Sequence, residues 1–243
     1  MKPFAKKYAM GTLSTLIALA TAVLGQQTQP ATYTSMAPVE QYFMGRDAEI
    51  ELARSAAPPS ISRDADILVM GRHGYETAAK GKNGFTCLVQ RSWTAPSEDP
   101  EFWNPKLRAP NCYNPQASRS YLPRVLKKTE LALSGRSKEQ ITAAISTALG
   151  SKQLPAPESG SMCYMLSKDG YLSDRFGHWH PHLMFFVPET ETVAWGANLP
   201  HSPIIGVTDK HEHLTVFLIP LGQWSDGTPG PPMHDADTNV GQQ

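Results

Sequence analysis

The chain has 243 residues, 40% of them hydrophobic, and its 22 lysines and arginines are balanced by 22 aspartates and glutamates. With no long run of one sign, that balance excludes a nucleic-acid binder built on a concentrated basic face. Twenty-one prolines point to fixed turns and irregular connections rather than a helical bundle.

In chain order, Lys2, Lys6 and Lys7 precede an apolar run over residues 10–24, and Val23 and Gly25 are small enough for a signal-peptidase site. This predicts a signal peptide over 1–25, with Gln26 as the new N-terminus, and export to the periplasm or the extracellular space. The run is shorter than the ~20 residues a bilayer needs, so no membrane span is expected after cleavage. Residues 26–46, rich in Gln, Thr, Ala and Pro, read as a flexible lead-in, 47–224 as a single domain, and 225–243 as a disordered tail.

Within the domain, residues 47–56 predict a short helix, with Asp47 as N-cap and Pro58-Pro59 as the stop. Residues 66–70 and 85–89 read as strands. The intervening 71–84 holds four glycines and reads as a long loop or an extended hairpin tip. Lys80-Gly81-Lys82-Asn83-Gly84 there has the cations and backbone amides of a weak anion site. Residues 94–120 are loop-like, anchored by Trp93, Phe102 and Trp103. Helices are predicted over 123–133 and 137–149, the second opened by a Ser137–Gln140 capping box. Strands follow over 162–166, 178–187 and 213–219, with a long connection over 189–210. This pattern predicts an α+β domain: a mostly antiparallel sheet of about five strands with a helical hairpin packed on one face.

Cys87, Cys112 and Cys163 allow one disulfide and one leftover thiol in an oxidising compartment. A Cys87–Cys112 bridge from strand to proline-rich loop is the favoured pairing, because it pins a segment with few other anchors.

The most informative stretch is His178-Trp179-His180-Pro181-His182. On a strand the three histidines share one face with Met184 and Phe186, while Trp179, Leu183, Phe185 and Val187 form a core face. Alternating imidazoles point to metal binding or proton transfer. The Cα atoms of His178 and His182 lie roughly 13 Å apart on a regular strand. Two zinc-ligating nitrogens lie within about 4 Å. Two of the three histidines can therefore chelate one metal, Zn²⁺ or another divalent transition metal, with His180 in either pair. A third ligand has to come from elsewhere: His73, Asp174 and His201 are candidates, and Asp174 is also placed to orient His178. His211-Glu212-His213 lies at the wrong end if the last strand pairs antiparallel with 182–187. In its two-residue spacing the HxH pair resembles the strand ligands of carbonic anhydrases and cupins. The acidic ligand of the cupin pattern has no counterpart here before Glu189.

Three functions follow. The first is an exported metal protein, such as a zinc-dependent hydrolase using His178, His180 or His182. The second is a non-catalytic domain that binds a small molecule or an envelope component. The third is a metal-free enzyme with His180 as its acid–base group.

Overall fold

Residues 33–175 and 177–232 are described by the computed structural model of the chain, so the expected signal segment lies outside the described residues. Short apolar runs separated by turns form eight strands: β1 (Asp66–Gly71), β2 (Gly74–Ala79), β3 (Thr86–Gln90), β4 (Ala109–Tyr113), β5 (Met162–Met165), β6 (His182–Pro188), β7 (Ile205–Asp209) and β8 (Leu214–Pro220). They build one sheet in the order β2-β1-β3-β4-β5-β6-β8-β7. β1 and β3 are parallel over Asp66↔Thr86 and Ile67↔Cys87, and the other neighbours are antiparallel. The class is α+β as expected, but the sheet is mixed and has eight strands instead of about five.

The three extra strands lack the usual apolar alternation. β2 is an edge strand with no fully buried residue, so its pairing with β1 alone defines it. β4 contains Pro110, which cannot donate to a ladder. Its position opposite Val89 is tolerated because the β5 ladder reaches only Cys112 and Tyr113. β7 is short and carries Gly206, where Thr192 and Ala197 pack so closely that a Cβ would crowd them.

Among the described residues there are five α-helices: α1 (Arg46–Arg54), α2 (Pro59–Ser62), α3 (Pro115–Ser120), α4 (Leu122–Leu133) and α5 (Lys138–Gly150). Both faces are covered, not one, which is why β3 and β4 are buried at every residue. On one face Ala53, Ala56 and Ala57 pack against Ile67, Cys87, Val89 and Cys112. On the other, Ala117, Leu122 and Val125 pack on Leu88, Tyr113, Cys163 and Phe186.

α5 has the expected capping box, with Ser137 Oγ accepting from Gln140 N. α3 is capped by Asn114, whose Oδ1 accepts from Ala117 N at 2.9 Å. α1 begins at Gly45 as N-cap rather than Asp47. One turn into it, the buried Glu49 accepts from Arg91 Nη2 at 2.9 Å and from Met70 N at 3.2 Å. Arg91 Nε in turn donates to Tyr42 O at 2.7 Å. This buried pair ties α1, β1 and the end of β3 to residues 39–42. Tyr42, in the stretch read as a lead-in, is fully buried, and Tyr33 packs against the same core cluster.

Cys87 and Cys112 stand directly opposite in the β3–β4 ladder and are disulfide-bonded. Cys163 is a buried free thiol, paired with Tyr113 in the β4–β5 ladder. In the glycine-rich 80–84 segment, three of the amides are already engaged within the fold. Gly81 N donates to Asp66 Oδ1, and Lys82 N and Asn83 N donate to Asp64 O. A Cβ on Gly81 would collide with that Asp64 carbonyl. Among the described residues no helix is long and apolar enough to cross a membrane.

Candidate functional site

The histidine segment is not a regular strand. Gly177 and Trp179 both have positive φ, at 58° and 48°, a region that costs a non-glycine residue free energy. Leu172 N donates to Gly177 O at 2.7 Å in a tight turn, and β6 begins only at His182. The single-face arrangement of His178, His180 and His182 is therefore absent. His178 is exposed, and its Nδ1 donates to Gly170 O. His180 and His182 are buried. His182 Nδ1 lies 2.7 Å from His180 O, and since a carbonyl only accepts, this ring carries its proton on Nδ1. Burial lowers the pKa of His182 to about 4, against the hydrogen bond to the His180 carbonyl, which favours the protonated ring. The ring is thus neutral at physiological pH, with the edge of Trp179 against it at 4.6 Å between centroids.

The expected core face of β6 is only partly buried. Phe186, on the His182 side of β6, is buried and stacks on Tyr121 at 3.8 Å and 13°. Leu183, Phe185 and Val187 are only half-buried. Trp195 covers part of that second face, stacking on Phe217 at 4.3 Å.

The proposed outside ligands do not reach the histidines. Asp174 accepts from Tyr33 Oη and Tyr171 Oη at 2.6 Å each and from Lys106 Nζ at 3.2 Å. The two tyrosine hydroxyls, then Lys106, hold its carboxyl down at about 2. His73 lies in the β1–β2 turn, and His201 is exposed in the connection before β7. His211 faces Glu98 at 3.1 Å and His213 faces Glu189 at 3.3 Å. The antiparallel β6–β8 register keeps both away from His178, as reasoned from the sequence. Among the described residues, no three His, Cys, Asp or Glu side chains are grouped to hold a metal ion.

A second constellation lies on α4 and the β7–β8 turn. Arg124, Lys128 and Glu212 are all buried. Glu212 Oε2 accepts from Arg124 Nη1 at 3.2 Å, while Oε1 meets Lys128 Nζ. Burial pushes the Glu212 carboxyl up, but Lys128 and Arg124 together outweigh it and hold it below its ordinary value. Lys128 also donates to Thr94 O and Ala95 O at 3.3 and 3.2 Å, so its three protons are engaged. Arg124 differs. Its guanidinium lies over the Tyr121 ring at 5.1 Å, yet Nε and Nη2 have no partner among the described protein atoms. Leaving such charged donors buried and unmet costs about 1–3 kcal/mol or more.

Arg124 and Glu212 line a cavity of about 510 Å³ with Leu149, Leu154, Pro155 and Pro157. Two residues with left-handed backbone, Lys152 (φ 60°) and His213 (φ 47°), complete its wall. A larger cavity of about 640 Å³ between Tyr33–Met36 and the start of α5 is walled by solvated charges such as Glu98, Arg136 and Glu139. None of the buried unpartnered polar atoms lies on its wall among the described residues.

The sequence reading missed Arg124 and Lys128. One signal was available: like charges at i and i+4 destabilise a helix, so that pair needed an anion from another element. No protein-family model matches this chain, and neither a curated protein nor a solved structure does.

Proposed function

We propose that the chain is an exported, non-catalytic ligand-binding domain whose site is the cavity walled by Arg124 and residues 149–157. The observation that carries this reading is the unspent Nε–Nη2 edge of a buried arginine beside an apolar void of ligand size. A few polar groups in a mostly apolar concavity is how small-molecule sites are built. The Cys87–Cys112 disulfide is compatible with an oxidising, extracytoplasmic compartment.

The reading is tested by a thermal-shift screen of the purified chain against small acids, amines and neutral compounds, in parallel with Gly150→Leu. Gly150 lines the cavity, and a Cβ there meets nothing within 4 Å. A compound that raises Tm in the wild type but not in Gly150→Leu is the expected result. Hits that shift both proteins equally, or no hits at all, count against it.

A second reading has its own observation. The His180 carbonyl fixes the proton of His182 on Nδ1, the arrangement that prepares Nε2 to ligate a metal. His180 and His182 would then supply two ligands to Zn²⁺, with the remainder from outside the described residues. Stoichiometric zinc in untagged protein, lost in His180→Ala, is its signature.

A further inference from the structure

The chemistry of the Arg124 edge narrows the ligand class, a step that rests on the binding-domain reading above. Nη1 is occupied by Glu212, at 3.2 Å from Oε2 and 3.5 Å from the backbone oxygen. The unpartnered atoms are Nε and Nη2, which share one edge of the planar guanidinium and form the fork that meets two oxygens of one carboxylate. The local charge favours an anion as well. Arg124 and Lys128 face a single carboxylate in direct contact, Glu212. A further acid close by, Asp209, accepts from the Glu212 backbone amide at 3.0 Å, and its pKa is raised by burial and by the Glu212 charge.

Apart from Arg124, Lys152, Glu212 and His213, the wall is apolar. Leu149, Leu154, Pro155, Ala156 and Pro157 border the void, and the two prolines have no amide hydrogen to offer a peptide backbone. We infer that the cavity binds a free aliphatic monocarboxylate, its head on the Arg124 fork and its chain along the 149–157 wall. Nε and Nη2 are sealed from solvent, so under this proposal the acid reaches them only if the wall segment 151–157 moves outward. That segment leaves α5 through the left-handed Lys152, with Leu154 N held by Ala148 O at 3.0 Å.

The test is calorimetric titration of the full chain with octanoate, 1-octanol and a short apolar peptide with a free C-terminus. Octanoate is expected to bind about 10- to 100-fold more tightly than octanol, the discrimination that a charge-assisted fork provides. Arg124→Gln should erase that preference. Gly150→Leu, which leaves the buried triad intact, should abolish octanoate binding without lowering Tm. Equal binding of acid and alcohol overturns the carboxylate assignment while leaving a binding domain in place. A peptide that binds more tightly than octanoate overturns the ligand class. Octanoate binding unchanged in Gly150→Leu overturns the placement. If neither octanoate nor any library compound binds in a Gly150-sensitive way, both readings fail.

Discussion

Lowering the pH tests the buried imidazole of His182 directly. Its pKa falls from the ordinary 6.5 to about 4 in the folded chain. A folded value below the unfolded one means that the unfolded state binds the proton first, so stability is complete above about pH 6.5 and is lost as pH falls toward 4. Across that gap, at about 1.4 kcal/mol per pH unit, the loss amounts to about 3 kcal/mol, a sizeable part of the 5–15 kcal/mol typical of a domain. No discount for solvent applies, because the side chain is almost wholly buried.

Asp174, held at about 2 by Tyr171, Tyr33 and Lys106, loses its contribution only below that pH range. Asp99 and Asp209 have raised values, chiefly through burial, and act in the opposite direction as pH falls. All three remain in a His182→Asn variant, which keeps a donor for the His180 carbonyl. Urea unfolding of both proteins between about pH 7.5 and pH 4.5 isolates the imidazole. The wild type should lose about 2–3 kcal/mol more than the variant. Parallel stability curves would refute the argument.

Other perturbations probe the frame. Arg91→Ala leaves Glu49 buried without its cation and should cost about 3–5 kcal/mol in urea unfolding; Glu49→Gln, which keeps an acceptor, should cost less. Phe186→Ala removes the ring stacked on Tyr121 and should cost about 3–5 kcal/mol, with a cost under about 1 kcal/mol refuting a core role. Replacing Cys87 and Cys112 together by alanine opens a link across 25 residues and should lower stability by about 3 kcal/mol. Asp174→Asn weakens the anchor of Tyr33 and should speed proteolysis between Tyr33 and Tyr42, while leaving the midpoint of global unfolding nearly unchanged.

The sequence made the α4–α5 hairpin, the Ser137 cap and the Cys87–Cys112 pairing legible, because each depends on local pattern or on the order of strands. It concealed β2 and β4, whose existence depends on pairing: Gly74 to Ala79 carries no apolar alternation, and Pro110 argues against a strand unless its neighbour stops short. The histidine stretch misled for a related reason. Its alternation is that of a strand, but the left-handed Gly177 and Trp179 turn the chain before the ladder begins, so only His182 keeps its strand position. Arg124 was hidden because its counter-ion, Glu212, is 88 residues away.

The pleat at Cys112 and Tyr113 also governs how the chain reaches its oxidised form. Successive residues face opposite sides of a sheet, so Cys112 joins Cys87 among the α1 contacts while Cys163, beside Tyr113, lies with the α3 and α4 contacts. Once the β3–β4–β5 register is set, the third thiol is walled off from the bridge by the thickness of the sheet itself. A bond from Cys163 to either partner can form only before that register exists, and it forbids the register from forming. The sheet therefore selects the Cys87–Cys112 pairing over the two that involve Cys163.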